Sequence, residues 1–355
     1  MRKNHRVRDP GEAQDSTVGM PRKTPASGSS LSTDRFLPLT LVLGLATIFL
    51  CETLLLIDVS SRGWVVIPDA ELSPPSGPLQ TLARWFAVNT TPISWVGLLV
   101  LLDGLLVLQS RRGRNLPAFH GSPVRERPKR FVLCFLVSVP LWLLFDWINF
   151  SFMGAWEYHG LPENLVHRYT AYFFAFGAIF PAMFLFAQLY QGLGLHRVSG
   201  RELYLRPLTR SLIVVAGLLF VAFPIAVQAP IGSLTLWLGW LMLLDPINHR
   251  LGAPSLLGDW QNGRWGRTLG LLGAGATCGL LWEFWNYWAA AKWTYDLAFL
   301  GPLEGYRYFE MPWPGFLGFP VFALECWVMF QTVSWLSEKL RLFSLEPLPD
   351  HTTLL

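Results

Sequence analysis

Residues 264–295 read RWGRTLGLLGAGATCGLLWEFWNYWAAAKWTY, and residues 127–158 read RPKRFVLCFLVSVPLWLLFDWINFSFMGAWEY. Laid over one another without a gap, Arg264, Arg267, Asn286, Trp293 and Tyr295 fall on Arg127, Arg130, Asn149, Trp156 and Tyr158, and Glu283 falls on Asp146. Shared oiliness does not place two tryptophans and two tyrosines at one offset. The match extends upstream, where WVGLLVLLD (95–103) answers WLGWLMLLD (237–245), and downstream, where GAIFPAMF (177–184) answers GFLGFPVF (315–322). The chain therefore reads as a duplication.

Composition says what is duplicated. The 355 residues are 52% hydrophobic and only 15% charged, with 17 Trp. Soluble domains carry roughly 25% charged residues, so the chain belongs with membrane proteins. A bilayer core ~30 Å thick needs an apolar run of ~20 residues. Eight such runs are readable, at 36–57, 92–110, 131–150, 169–191, 211–229, 232–248, 267–288 and 315–336. The expected fold is an all-α polytopic membrane protein of about eight transmembrane helices in two four-helix repeats. Four spans return the chain to its starting side, so the repeats run parallel, about an axis along the membrane normal. The divisions are a disordered tail (1–34), a first repeat (35–191), a basic linker (192–210), a second repeat (211–340) and a terminal tail (341–355).

Arginine and lysine crowd the loops 111–130, 192–210 and 249–267 and the amino-terminal tail. By the positive-inside rule both termini face the cytoplasm, in the cell (inner) membrane. The aromatic loops 150–168 and 288–314 then face outward. The net charge of +4 is spread over particular loops, so nucleic acid is not an expected partner. Cys51, Cys134, Cys278 and Cys326 all fall inside apolar runs and lack metal-ligand spacing, reading as small buried hydrophobes. No histidine pair has zinc spacing, and GAGATCG (273–279), inside an apolar run, reads as helix packing rather than a nucleotide loop. Neither metal nor cofactor is expected.

Ionisable side chains inside spans are costly and mark function by default. Asp146/Asn149 and Glu283/Asn286 are i, i+3 pairs, each on one helix face. Repeated helix-end bonds would leave the same mark. Glu325 sits halfway along the last span among Cys, Trp, Met and Phe, with a bond to Gln331 or Asn286 as its structural alternative. Glu310, in YFEMPWPG, precedes that span. Glu52 completes the set, while Asp103 and Asp245, near cytoplasmic span ends, read as structural. Trp156, Tyr158, Trp293, Tyr295 and Trp285 supply indoles and phenols near the outer ends. They suit an interfacial belt and equally a box whose ring faces hold a cation. An acid beside such a box can protonate an alkene and stabilise the carbocation.

An acidic span end, then Gly154, Trp156 and Tyr158, or Trp293 and Tyr295 in the second copy, then a Pro-containing segment, resembles the lycopene cyclase domain of membrane-embedded carotenoid cyclases. The resemblance covers about 92–191 and 233–337. FPAMFLF carries no acid where that family has paired glutamates, and FPVFALE carries only Glu325. The resemblance implies redox-neutral cyclisation of a lipophilic isoprenoid. Glu325 or Glu310 is then the expected acid, Glu283 its partner or base, Asn286 an orienting group, with Asp146 and Asn149 their counterparts. The other reading is a proton-coupled transporter or lipid-binding protein with its pocket between the repeats. Its sign is a helix broken at midplane, with Pro224, Pro246 and Pro320 as candidate breaks.

Overall fold

In the computed structural model the described residues are 38–66, 74–112 and 121–355. The amino-terminal tail lies outside them. The elements run α1 (Leu39–Ser61), α2 (Pro78–Val88), α3 (Thr90–Arg112), α4 (Pro123–Glu126), α5 (Pro128–Ile148), β1 (Trp156–His159), α6 (Leu165–Gly192), α7 (Pro207–Val227), α8 (Gly232–Leu251), α9 (Leu256–Gln261), α10 (Gly266–Trp288), β2 (Lys292–Tyr295), β3 (Arg307–Tyr308), β4 (Met311–Pro312) and α11 (Gly318–Lys339).

The protein is nearly all-α, and six stretches are helical, long and apolar enough to cross a membrane: Leu39–Ser61, Thr90–Arg112, Pro128–Met153, Leu165–Gly192, Pro207–Val227 and Trp313–Lys339. Two of the eight expected spans do not reach that standard. They form helices of membrane-crossing length, α8 with 20 residues and α10 with 23. Their apolar character is diluted by Asp245, Asn248, His249 and Arg250 in α8 and by Arg267, Thr268, Glu283 and Asn286 in α10.

Glycines set the closest approaches. A Cβ on Gly104 would stand 2.4 Å from the Leu41 nitrogen, and one on Gly217 2.4 Å from that of Leu243. So α1 lies against α3, and α7 against α8, at backbone distance, as small residues permit between membrane helices. The tryptophans of the upstream match reach across the molecule. Trp95 of α3 packs on Trp282 and Trp285 of α10, with ring centroids 5.7 and 5.3 Å apart. Trp237 of α8 packs on Phe145 of α5 at 5.1 Å.

The acids expected to be structural are so. Asp103 pairs with Arg125 at 2.8 Å, and Asp245 accepts the Leu256 and Leu257 N–H groups at 2.7 and 2.9 Å, capping α9. The terminal tail is more ordered than its composition suggests. Thr353, Leu354 and Leu355 are buried. The Leu354 N–H donates to Gln188 at 3.0 Å, and Arg127 and Arg267 donate to the Leu355 and His351 carbonyls. All four cysteines are buried.

Candidate functional site

Each matched phrase folds into the same small device. Helix α5 ends in a π turn, Asn149–Met153, closed by Gly154 at φ 64°, a left-handed conformation that glycine adopts without strain. The chain then doubles back as β1. The Asn149 amide donates to the Trp156 carbonyl at 2.7 Å, and its oxygen accepts the Ala155 and Trp156 N–H groups at 2.8 and 3.2 Å. In the second phrase Asn286 donates to the Trp293 carbonyl at 2.8 Å and accepts the Trp293 N–H at 2.8 Å. Both asparagines are buried and commit these amide bonds to holding a strand against the end of its own helix.

The two strands then pair with one another. β1 runs antiparallel to β2 with Trp156 opposite Tyr295 and Tyr158 opposite Trp293. Cross-strand partners share one face of a sheet, and so do residues two apart. All four rings therefore leave the ribbon on one side, where they line a cavity of about 450 Å³. The rest of its wall includes Trp95, Trp142, Phe176, Trp237, Trp282 and Phe322. Trp142 and Trp282 lie 5.2 Å apart, Trp282 and Trp293 5.5 Å, and Trp156 stacks on Trp237 at 6.1 Å.

The acids stand behind the phenols. Tyr158 donates to Asp146 at 3.0 Å, and the Trp156 indole donates to the same carboxyl oxygen at 3.0 Å. Tyr295 donates to Glu283 at 2.8 Å. An indole in turn donates to each phenol, Trp142 to Tyr158 at 3.3 Å and Trp293 to Tyr295 at 2.7 Å. In place of the indole that serves Asp146, Glu283 has the Met311 backbone N–H as its second donor. Two carboxyl–phenol pairs thus face one aromatic chamber from matched positions.

Burial raises the phenol pKa of Tyr158 and Tyr295 well above the ordinary value, and the neighbouring carboxyls add to the rise. Both side chains are therefore neutral donors at physiological pH. The unfolded phenols ionise near ~10, so these two tyrosines withdraw stability as pH rises past that value. In an alkaline absorbance titration, two of the nine tyrosines should ionise only as the helical signal collapses. Complete ionisation of all nine before unfolding would contradict the burial of these rings.

The other expected site residues lie elsewhere. Glu310 forms a salt bridge to Lys292; Lys292 also donates to the Val66 and Tyr287 carbonyls at 3.2 and 3.1 Å. Burial lowers the Lys292 pKa, and Glu310 opposes that shift. Both groups stand near enough to Glu283 to act on it electrostatically, but neither lines the cavity. Glu325 is fully buried and lies outside the cavity wall. Its structural alternative, a bond to Gln331 or Asn286, is not made either: its oxygens and the Gln331 amide have no hydrogen-bond partner among the described residues, and Asn286 serves Trp293. Trp285 turns from the cavity to α1, where its indole donates to Glu52 at 2.6 Å.

Sequence reasoning missed Trp142, Phe176 and Phe322 as lining residues. Trp95 and Trp237 carried a signal, the upstream match itself. The chain matches no known protein-family model, no curated protein and no solved structure.

Proposed function

We propose that the protein is a membrane enzyme that cyclises one end of a lipophilic isoprenoid by proton transfer. Its eight long helices act as two parallel four-helix repeats, with both termini on the arginine-rich cytoplasmic side of the cell membrane. The observation that carries the reading is the placement of Asp146–Tyr158 and Glu283–Tyr295 on one chamber walled by indoles. Small-molecule sites occupy ~300–1,000 Å³, so this chamber takes an end of a long polyene rather than its full length.

The two carboxyls are suited to opposite roles. Hydrogen-bond donors favour the charged form of the group that accepts them. Asp146 accepts from an indole and a phenol and serves as the base. Glu283 accepts from one phenol and from the Met311 backbone N–H, with no indole among its donors in the described residues, and it serves as the acid. For the relay, protonated Glu283 donates to the Tyr295 oxygen, and the phenol gives its own proton to the terminal alkene carbon as it takes the one from Glu283. A C–H bond forms as that π bond breaks. The cation left on the more substituted carbon is attacked by a second alkene of the same chain, closing a ring C–C bond. Asp146, through Tyr158, removes the adjacent proton and restores a double bond. One proton enters, one leaves, no electron is exchanged, and exchange with water resets the pair. Ring faces in a dry chamber stabilise such a cation by ~2 kcal/mol or more.

Supporting an enzyme over a transporter, α7 and α8 continue past Pro224 and Pro246, and Pro320 lies in the first turn of α11 rather than within it. The test is expression in a carotenoid-making host, followed by chromatography and mass analysis of extracted isoprenoids. A product of shifted retention and unchanged mass is expected. An isoprenoid profile identical with and without the chain would overturn the reading.

A further inference from the structure

The cavity wall has one side unlike the rest. Where indoles and phenols close it on the ribbon side, the wall also includes Leu234 and Leu238 of α8 and Leu317, just before α11. These three leucines are exposed, 58%, 37% and 75% respectively. A cavity-lining side chain that is also exposed stands at a mouth. Helix α7 does not cover this edge. It seats against Gly232 and Gly239, where added Cβ atoms would meet Pro224 and Val221, and the helical period turns Leu234 and Leu238 well away from that face. Leu317 lies within a stretch apolar and long enough to cross a membrane, Trp313–Lys339. At these three positions the rim is aliphatic, and it lies at the end of the bundle away from the arginine-rich loops.

We propose that the cavity is loaded laterally from the bilayer, through a portal between Leu234 and Leu238 on one side and Leu317 on the other, by a polyisoprenoid hydrocarbon chain. A water-borne solute would have to cross this aliphatic rim without a polar partner. A hydrocarbon chain crosses it without leaving apolar surroundings, while its remainder stays among the lipids. The inference rests on the chamber being a binding site, not on the chemistry assigned to it.

The full chain, in lipid nanodiscs, is irradiated with a trifluoromethyl-phenyl-diazirine that partitions into acyl chains, or with a charged, water-soluble diazirine. Peptide mass spectrometry then maps the adducts. The lipophilic reagent should label Trp237 and Phe322 inside the chamber, along with lipid-facing Phe49, and leave Phe180 and Phe184 of the closed core unlabelled. The water-soluble reagent should not label the chamber. Leu238→Trp with Leu317→Trp should abolish labelling at Trp237 and Phe322 while preserving that at Phe49, and Phe180 and Phe184 should stay unlabelled, which reports that the variant's core is folded. Three results would each overturn the portal: an unlabelled chamber in the unaltered protein, a chamber labelled from water, or labelling that survives the tryptophan pair. The assay needs no turnover. An active protein with an unlabelled chamber removes the portal alone, and a labelled chamber without product removes the chemistry alone.

Discussion

Glu283→Gln is expected to reduce product formation by ~10²–10⁴, the contribution typical of a positioned general acid. Glutamine preserves the shape and can still accept from Tyr295, but it has no proton to give. The loss should therefore fall on turnover, with the protein still in the membrane and its melting transition little changed. Glu325→Gln is the contrasting substitution. Glu325 neither lines the cavity nor bonds a side chain that does, whereas Glu283 is bonded to the lining Tyr295, so activity near the wild-type level is expected. Equal losses in both variants, measured by extracted product per unit of protein, would show that the acid is not the group behind Tyr295. Wild-type activity in Glu283→Gln would remove Glu283 from the chemistry.

The second large effect is on stability. Asn286→Ala deletes both bonds that hold β2 to the end of α10 and orphans the Trp293 N–H and carbonyl in a buried setting. Each unsatisfied buried group costs ~1–3 kcal/mol, so a loss of about 2–6 kcal/mol is expected. Asn149→Ala should lose a comparable amount, because its amide makes three such bonds. Thermal unfolding in detergent, followed by helical signal, checks both. An alanine variant as stable as wild type would mean that the ribbon is held by its rings alone.

The asparagines also show what the sequence concealed. Their separation from Trp156 and Trp293 is the same in both phrases, which marks a bond that closes a turn of fixed length. A polar residue beside an acid at a span end reads just as readily as an orienting group. Only the path of the chain beyond the helix, folded back through Gly154, distinguishes the two. The duplicated phrase correctly located the indoles and phenols of the chamber, because a helix end and the strand after it are local features. Asp146 and Glu283, named from the same phrases, bond these rings; that Glu325 and Glu310 stand apart from the wall was not legible. Glu325 is central in its own span, yet the direction of a side chain around α11 is set by which helices pack there. Trp285, three residues from Trp282 on the same helix, turns to Glu52, a partner 233 positions away. The division of the spans was partly legible. Hydropathy located every long helix, while the polar groups needed for α9 capping and for the site itself lowered the apolar character of α8 and α10.

The most direct test of proton-initiated ring closure is to run the reaction in D₂O and locate deuterium in the product. Delivery from an exchangeable Glu283–Tyr295 pair puts one deuterium on a ring carbon that does not exchange afterwards, making the cyclic product heavier by that single atom. A cyclic product with no deuterium on carbon would contradict the account.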